Sequence, residues 1–240
     1  MGMEHIGERR PYVAAVVPAA GLSTRMRGLD KQFEELCGVP VLARTMLALA
    51  QNDWIDELVV VARREDTADV LALARQWGVA KLRSVVAGGE TRQQSVLRGL
   101  EAVSPQAAYV AIHDGARPLV SQQVIARAVL DALGCGAAAA AVPVVDTLKL
   151  ADGEGCICRT VDRSRLFAVQ TPQVFALGRY LSAARQALSQ GLDYTDDCQM
   201  LEAVGERVKL STGDPRNLKI TTPEDLAVAR AILEQEEPVL

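Results

Sequence analysis

A run of small residues and cations follows the first apolar segment of the chain, in the stretch VVPAAGLSTRMRGLDKQF at residues 16–33. The small residues are Ala19, Ala20 and Gly21, and the cations are Arg25, Arg27 and Lys31. Small residues let the backbone approach a ligand closely, and Arg and Lys side chains bind phosphate groups. The stretch therefore predicts a phosphate-binding loop. A solvated loop with incidental cations is the alternative, because short motifs of this kind match many unrelated chains.

The residue order of this stretch excludes two common phosphate-binding loops. The dinucleotide fingerprint G-x-G-x-x-G needs further glycines close behind the first, but Gly21 is followed by no glycine before Gly28. The Walker A loop needs Gly-Lys-Ser/Thr, whereas Lys31 follows Asp30. A nicotinamide-binding oxidoreductase is therefore excluded, and a phosphate site here requires a third kind of loop.

The elements that must position this loop alternate between strand and helix patterns. Short apolar runs begin at Tyr12, Glu57, Leu82, Tyr109 and Ala137, and segments such as VLARTMLALAQ and TRQQSVLRGLEAV between them have helical spacing. This alternation predicts an α/β fold with a mostly parallel sheet and helices on both faces. Ligands bind such sheets outside the carboxyl ends of the strands, where the loop after the first strand lies.

The alternation ends after Pro143. Residues 144–175 contain two β-like halves around a turn signal at residues 152–155, which predicts a hairpin or arm at about residues 143–168. Such an arm covers the sheet or reaches a second subunit. Helical patterns resume at about residues 177–190 and 196–204. Because no repeat or linker interrupts the chain, we expect one domain over residues 1–240.

The last helix has the clearest start signal in the chain. Thr222 is the predicted N-cap, Pro223 takes the first helical position and Asp225 takes the capping-box position. The predicted apolar side of this helix contains Leu226, Ala229, Ala231, Ile232 and Leu233. We therefore expect this helix to close the domain rather than to bind a ligand.

Charge and composition limit the partners of the chain. Its 240 residues have a formal net charge of -4 and only 4% aromatic residues, so we expect no binding to nucleic acid. The first residues lack an apolar signal segment, and the apolar run at residues 137–145 is too short to span a bilayer. We expect a cytoplasmic protein without a membrane partner.

Cysteine and histidine residues do not predict a metal centre. The five cysteines are Cys37, Cys135, Cys156, Cys158 and Cys198, and only the third and fourth are close in sequence. The only histidines are His5 and His113. Zinc sites in proteins use closely spaced Cys and His ligands, so we expect reduced thiols and no structural metal.

Seven motifs together resemble the 2-C-methyl-D-erythritol 4-phosphate cytidylyltransferase family. They are the loop PAAGLSTRM with its KQF, GGETRQQSV at 88–96, HDGARP at 113–118, DTLK at 146–149, TVDRSRLFAVQTPQVF at 160–175, TDD at 195–197 and NLKITTPEDL at 217–226. The resemblance implies an α/β nucleotidyltransferase domain, with a Rossmann-like, mostly parallel sheet and a projecting β-arm. It implies transfer of a cytidylyl group from CTP to methylerythritol phosphate, with release of pyrophosphate.

The resemblance also assigns roles to residues. It implies that Arg25 and Lys31 hold the triphosphate and that Lys219 lies near the α-phosphate, as the catalytic cations. It implies nucleotide contacts at Ala19, Ala20, Gly21 and Asp114, and acceptor contacts at Arg117, Thr147, Arg163 and Thr195, with Arg163 reaching the site of a neighbouring subunit. It further implies a homodimer formed through the arm, and Mg²⁺ bound chiefly through the CTP phosphates, without a protein metal site.

The motif GGETRQQS is the segment that we expect to select the base. Close approach at Gly88 and Gly89 and the side chains of Glu90 and Ser95 suit the amino group of cytosine, because that group donates hydrogen bonds. The same segment is also typical of a turn from strand to helix with Thr91 as the cap. Both interpretations hold together.

Three alternative interpretations concern the acceptor, the presence of activity and the role of His113. Ribitol 5-phosphate cytidylyltransferase, or another sugar or polyol phosphate nucleotidyltransferase, has similar motifs and differs in its acceptor. A nucleotide-binding regulator without activity predicts loss of the cations, but Arg25, Lys31 and Lys219 are all present. His113 invites an acid-base role, although a buried histidine at a strand end is the preferred interpretation because this transfer needs no proton shuttle.

Overall fold

A computed structural model of the chain describes residues 10–21, residue 26 and residues 30–236. Its strands are β1 (Val13–Pro18), β2 (Glu35–Leu36), β3 (Val39–Pro40), β4 (Glu57–Ala62), β5 (Leu82–Ala87), β6 (Tyr109–Ile112), β7 (Ala137–Pro143), β8 (Lys149–Ala151), β9 (Ile157–Thr160), β10 (Phe167–Ala176) and β11 (Lys209–Thr212). Its helices are α1 (Val41–Ala50), α2 (Thr67–Gln76), α3 (Arg92–Glu101), α4 (Gln122–Cys135), α5 (Leu177–Ser189), α6 (Asp197–Ala203) and α7 (Pro223–Glu236).

Seven strands form the central sheet in the order β11-β7-β10-β6-β1-β4-β5. Strand β10 runs antiparallel to both of its neighbours, and the other pairings in this sheet are parallel. The mostly parallel sheet is therefore confirmed, and the five predicted strands all belong to it.

Helices cover both faces of the sheet because side chains alternate along the strands. In β1, Val13, Ala15 and Val17 join a buried cluster with residues of α1, α2 and α4. Val16, which points the other way, joins a cluster with residues of α3, α5 and α6. The predicted helices on both faces are thus confirmed.

Helix α7 begins as its cap signal predicts. The Asp225 N–H donates to Thr222 Oγ1 at 3.3 Å, and the Thr222 N–H donates to Asp225 Oδ2 at 2.9 Å, which is a reciprocal capping box. Leu226, Ala229 and Leu233 are buried, as expected. The prediction for Ala231 is wrong, because this residue is exposed on the other side of the helix.

Two strands of the central sheet were not predicted as such. The run assigned to the second half of the arm is largely β10, which is buried from Gln170 to Phe175 between β6 and β7. Strand β11 is short and mostly exposed, with only Ser211 buried, so its pattern carries little signal. The sheet is therefore wider than the alternation of elements indicated.

The turn signal at residues 152–155 does form a hairpin, between β8 and β9. Asp152 Oδ1 accepts hydrogen bonds from the N–H groups of Glu154 and Cys156 at 3.0 and 2.9 Å, which fixes the turn. All residues of both strands are exposed. That this hairpin serves as an arm between subunits stays a prediction.

Among the described helices, none combines the length and apolar character needed to cross a membrane.

Candidate active site

A cleft of about 540 Å³ opens at the carboxyl ends of the parallel strands. Its walls come from the loops after β1, β4, β5 and β6 and from the segment before α7. This is the edge at which open α/β sheets bind ligands. The cleft contains eight of the predicted site residues, namely Ala20, Gly21, Lys31, Gly89, Glu90, Ser95, Asp114 and Lys219.

Two further residues predicted at the nucleotide site, and Arg117, predicted to contact the acceptor, lie beside the cleft or outside the described residues. Ala19 is buried, and its N–H donates to Val61 O at 2.7 Å, so it supports the loop from behind. Arg117 contacts Asp114 but does not line the cleft. Arg25 lies outside the residues that the structure describes.

Three predicted acceptor residues are not brought to the cleft within this chain. Thr147, Arg163 and Thr195 are exposed and do not line it. The Arg163 guanidinium donates to Val145 O, close to the hairpin. Their roles stay predictions, and a role for Arg163 in another subunit is compatible with this placement.

The loop after β1 and the loop after β5 touch each other through a glycine. A Cβ atom at Gly88 would lie 2.6 Å from Ala20 Cβ and 2.8 Å from Ser95 Oγ, closer than real Cβ atoms approach. The next N–H, of Gly89, donates to Ser95 Oγ at 3.1 Å. The close approach expected at Gly88 is therefore a contact between the loop after β1 and the loop after β5. This contact holds both loops at the cleft.

Helix α3 starts at the cleft as expected. Thr91 Oγ1 accepts a hydrogen bond from the Gln94 N–H at 3.2 Å, so Thr91 is the N-cap. The Glu90 N–H donates to Gln94 Oε1 at 3.0 Å. Glu90 itself is exposed in the cleft wall, where its carboxylate is open to a ligand.

Asp114 lies at the centre of the charged groups of the cleft. Its Oδ2 is 2.9 Å from Lys219 Nζ and 3.4 Å from Arg117 Nε, and its Oδ1 is 3.7 Å from Arg92 Nη2. Burial alone would raise the pKa of Asp114, but the charges of Lys219, Arg92 and Arg117 outweigh burial and hold that pKa well below its ordinary value. Asp114 is therefore a carboxylate at neutral pH.

Arg92 is a charged residue of the site to which the sequence pattern assigned no role. Its Nη2 lies 2.6 Å from Oδ2 of the fully buried Asp197, whose Oδ1 accepts a hydrogen bond from the Tyr180 hydroxyl at 2.7 Å. Burial opposes the charge of Arg92, but Asp197 raises the pKa of Arg92 above its ordinary value. Arg92 is therefore a permanent cation at the cleft.

Arg63 and Arg64 were also missed, although a signal existed. They directly follow β4, so they lie at the same edge of the sheet as the loop after β1. Arg63 forms ion pairs with Asp30 and Asp66. The described lining holds five cations and three carboxylates, although Arg63 and Arg92 are also paired with carboxylates outside it. Five cations gathered at one cleft, in a chain of net charge -4, suit an anionic ligand.

His113 is fully buried behind the cleft. Its Nδ1 lies 3.0 Å from Thr171 Oγ1, and its Nε2 lies 3.2 Å from Arg117 O. Burial lowers the pKa of His113 to about 4, so the ring is neutral above that pH. The interpretation of His113 as a buried histidine at a strand end is confirmed by its position after β6.

Neutral His113 has a testable effect on stability. Its pKa is about 4 in the folded chain against an ordinary value of 6.5, so the unfolded chain binds more protons between these pH values. The contribution is fully present above pH 6.5 and is lost as the pH falls to about 4. At about 1.4 kcal/mol for each pKa unit, we expect a loss of about 3 kcal/mol across this window.

Denaturant unfolding at pH 4 to 7 measures this contribution. Because carboxylates also titrate at the acidic end, the measured quantity is the difference between the wild-type protein and His113→Gln, which lacks the titrating ring. The free energy of unfolding of the variant is expected to change less with pH. Parallel pH curves for the two proteins would contradict the assignment of a buried, neutral His113.

Comparison with known proteins shows the family of the chain. A sequence model of the 2-C-methyl-D-erythritol 4-phosphate cytidylyltransferase family matches residues 13–235. The relative of that name from Halalkalibacterium halodurans is 43% identical over 225 residues, covering 93% of this chain and 98% of the relative. The one from Caldanaerobacter subterraneus subsp. tengcongensis is 44% identical, covering 92% and 98%.

Solved structures give the same result. The crystal structure of the 4-diphosphocytidyl-2C-methyl-D-erythritol synthase from Anaerococcus prevotii matches with a TM-score of 0.83 and 30% identity, covering 93% of this chain and 96% of that one. The 2-C-methyl-D-erythritol 4-phosphate cytidylyltransferase from Thermus thermophilus matches with a TM-score of 0.75 and 34% identity, covering 92% and 98%. The chain belongs to the 2-C-methyl-D-erythritol 4-phosphate cytidylyltransferase family, whose members are nucleotidyltransferases.

Proposed function

We propose that the protein transfers the cytidylyl group of CTP to 2-C-methyl-D-erythritol 4-phosphate. The products are pyrophosphate and 4-diphosphocytidyl-2-C-methyl-D-erythritol, in the non-mevalonate isoprenoid pathway. The observation that carries the proposal is the cleft in which Lys31, Arg92 and Lys219 converge on the carboxyl edge of the sheet, in a chain of this family. A cytoplasmic location, where CTP is available, is part of the proposal.

The reaction joins two anions. A phosphate oxygen of the acceptor attacks the α-phosphorus of CTP, and the bond from that phosphorus to the oxygen bridging to the β-phosphate breaks as pyrophosphate leaves. Charge builds on the oxygens of the α-phosphate, so positioning and positive charge do most of the work and no protein nucleophile is needed. Lys219 and Lys31 line the cleft from different segments of the chain and supply this charge.

The cleft also offers groups for the nucleoside. Ala20, Gly21 and Gly89 have little or no side chain, so the nucleotide can lie against the backbone there. The Glu90 carboxylate is the acceptor that suits the amino group of cytosine. Ser95 holds the loop through Gly89, which gives it a supporting role in addition to any contact with the base.

The cleft suits a divalent cation only when the phosphates of CTP supply most of its ligands. Among the described residues, no group of three or more His, Cys, Asp and Glu side chains is close enough to hold a metal ion. Asp114 is already paired with Lys219 and Arg117, so Mg²⁺ would take its ligands chiefly from phosphate and water. When bound with CTP, Mg²⁺ would neutralise the triphosphate and assist departure of pyrophosphate.

We place the acceptor beside the nucleotide, near Arg117 and the ends of the loops that carry Thr147 and Thr195. Arg163 does not line the cleft of its own chain, so we assign its contribution to a second subunit. The hairpin and the segment that leads into it support this view because they carry exposed apolar side chains, with Ile157 at 66% and Leu150 at 47% exposure in the hairpin and Val145 at 78% before it. Exposed apolar surface of this kind is typical of an interface.

A charge placed on the hairpin is expected to disrupt the dimer. Ile157→Asp should shift the protein from dimer to monomer in sedimentation velocity, because burying an unpaired carboxylate in an interface is costly. Val228→Asp is the matched control, since Val228 is also an exposed apolar residue, 54% exposed on α7. A wild-type protein that sediments as a monomer, or an Ile157→Asp variant that stays dimeric, would contradict the proposal.

The alternative acceptor, ribitol 5-phosphate, is not favoured. The relatives described above are named for 2-C-methyl-D-erythritol 4-phosphate.

Release of pyrophosphate tests the function. Purified protein with CTP and Mg²⁺ should release pyrophosphate when methylerythritol phosphate is added, and much more slowly with ribitol 5-phosphate. Preference for ribitol 5-phosphate would keep the reaction and overturn the acceptor, whereas no release with either acceptor would overturn the function.

A further inference from the structure

We propose that His113 is a positioning residue for cytidylyl transfer, which holds the loop bearing Asp114 and Arg117 in its working geometry through a directional chain of hydrogen bonds. This inference rests on the proposed function and concerns a residue that lies behind the cleft. The alternatives are a proton-transfer group and a side chain that merely fills space.

The directions of the hydrogen bonds around His113 follow from its partners. A backbone carbonyl only accepts, so the contact of 3.2 Å to Arg117 O places the ring proton on Nε2. Nδ1 of a neutral ring is then an acceptor, and the Thr171 hydroxyl donates to it at 3.0 Å. The Thr171 oxygen in turn accepts the Asp114 N–H at 3.0 Å. This series of hydrogen bonds starts at the Asp114 N–H, passes through Thr171 and His113, and ends at Arg117 O.

This chain ties together both ends of the loop that follows β6. Between them, the Arg117 N–H donates to Asp114 O at 3.1 Å and closes a turn. His113 and Thr171 therefore fix the two backbone positions from which a carboxylate and a guanidinium extend. Thr171 lies on β10, so the antiparallel strand inserted beside β6 supplies the anchor.

Thr171 also fixes the position of the segment that carries Lys219. Nδ2 of the fully buried Asn217 donates to Thr171 O at 2.8 Å, and Arg117 Nη1 donates to Asn217 O at 2.7 Å. Lys219 follows two residues later and pairs with Asp114 at 2.9 Å. A shift of the loop held by His113 would therefore move Asp114 relative to Lys219, one of the catalytic cations of the proposed function.

His113 is not placed for proton transfer. It has no exposed surface, it does not line the cleft, and both ring nitrogens have partners within the protein. A general acid or base must come within hydrogen-bond reach of the substrate or of a bridging water. A side chain that only filled space would, for its part, need neither of the two nitrogen partners.

Three substitutions separate these roles. His113→Leu removes both hydrogen bonds, His113→Asn keeps an acceptor near the Nδ1 position, and His113→Gln keeps a donor near the Nε2 position. The control is Glu57→Gln, which alters a buried carboxylate that accepts from the Ser104 N–H at 2.6 Å. Glu57 begins β4, at the opposite edge of the sheet from the cleft, so this variant reports the effect of a stability loss alone.

Steady-state kinetics with CTP and methylerythritol phosphate, the pH–rate profile and thermal melts are measured for each protein. We expect His113→Leu to lower kcat at least about tenfold with the KM for CTP changed less than about threefold, because misplacement of catalytic groups lowers the rate more than binding. Asn and Gln should give intermediate losses, and the pH–rate profile should keep its shape. Glu57→Gln should lower the melting temperature with kcat unchanged.

Other outcomes overturn the proposal. Unchanged kcat in a folded His113→Leu variant would indicate a space-filling residue. Equal loss in all three variants, with one limb of the pH–rate profile missing, would indicate proton transfer. Where His113→Leu does not fold, the Asn and Gln variants decide by the same criteria. Inactive wild-type protein, or full activity of Lys219→Ala, counts against the proposed function, whereas active wild-type protein with unaffected His113 variants counts against this inference alone.

Discussion

Lys219→Ala is expected to lower kcat for cytidylyl transfer by about 10² to 10³-fold, with a smaller change in the KM for CTP. Removal of one preorganised group that stabilises developing negative charge has a cost of this size in other enzymes. Lys219 lines the cleft and is held 2.9 Å from the Asp114 carboxylate, so its ammonium group is already in place before the substrates bind. Single-turnover release of pyrophosphate measures the effect.

The control for this experiment is another lysine of the same region of the chain. Lys209 pairs with Asp131 at 2.6 Å, is more exposed than Lys219 and does not line the cleft. Lys209→Ala should leave kcat within about twofold, because an exposed ion pair contributes little even to stability. A Lys219→Ala variant with more than about a third of the wild-type kcat would remove Lys219 from the catalytic groups.

Much of this site could be predicted from the sequence because it depends on local rules. The carboxyl ends of parallel strands share one edge, so the loop at Ala20 and Gly21, the loop at Gly89 and Asp114 had to lie together once the alternation of strands and helices was recognised. The cap at Thr91 is recognisable from neighbouring residues, because its hydroxyl oxygen accepts a hydrogen bond from the Gln94 N–H. Such features need no knowledge of long-range packing.

The features that were missed depend on contacts distant in sequence. Arg92 is oriented by Asp197, more than a hundred residues later, and nothing in GGETRQQS predicts that partner. Strand β10 was predicted as part of a hairpin because it follows the turn signal at residues 152–155, and only its insertion between β6 and β7 makes most of it central. His113 was correctly expected to be buried, but its partner Thr171 lies on that same misassigned strand.

The acceptor residues show a different limit. Thr147, Arg163 and Thr195 were assigned from family resemblance alone, and a single chain does not bring them to the cleft. Local patterns carry no information about a second subunit. The hairpin experiment described above therefore comes first, because it tests whether the chain forms a dimer in which a second subunit can supply these residues.

Asp114→Asn is expected to have the second large effect, on both activity and stability. The substitution removes the negative charge that Lys219, Arg117 and Arg92 face at 2.9, 3.4 and 3.7 Å. Lys219 and Arg117 then lose their carboxylate partner and repel each other, whereas Arg92 keeps Asp197. We expect kcat/KM to fall by about 10²-fold, since Lys219 loses the partner that holds it. Breaking a buried ion pair on one side lowers the free energy of unfolding by about 3 kcal/mol.

The pH dependence of this loss tests its electrostatic origin. The pKa of Asp114 in the folded chain lies below the ordinary value of 3.8, so its stabilising contribution is present above about pH 4 and is lost as the pH falls through the lower, folded value. The gap in unfolding free energy between wild type and Asp114→Asn should therefore be full at pH 7 and shrink below pH 4. Asp131→Asn, which removes the partner of Lys209 away from the cleft, should leave kcat/KM unchanged. A gap that persists undiminished in acid would mean that Asp114 acts through its shape and hydrogen bonds, and that its charge does not organise the three cations.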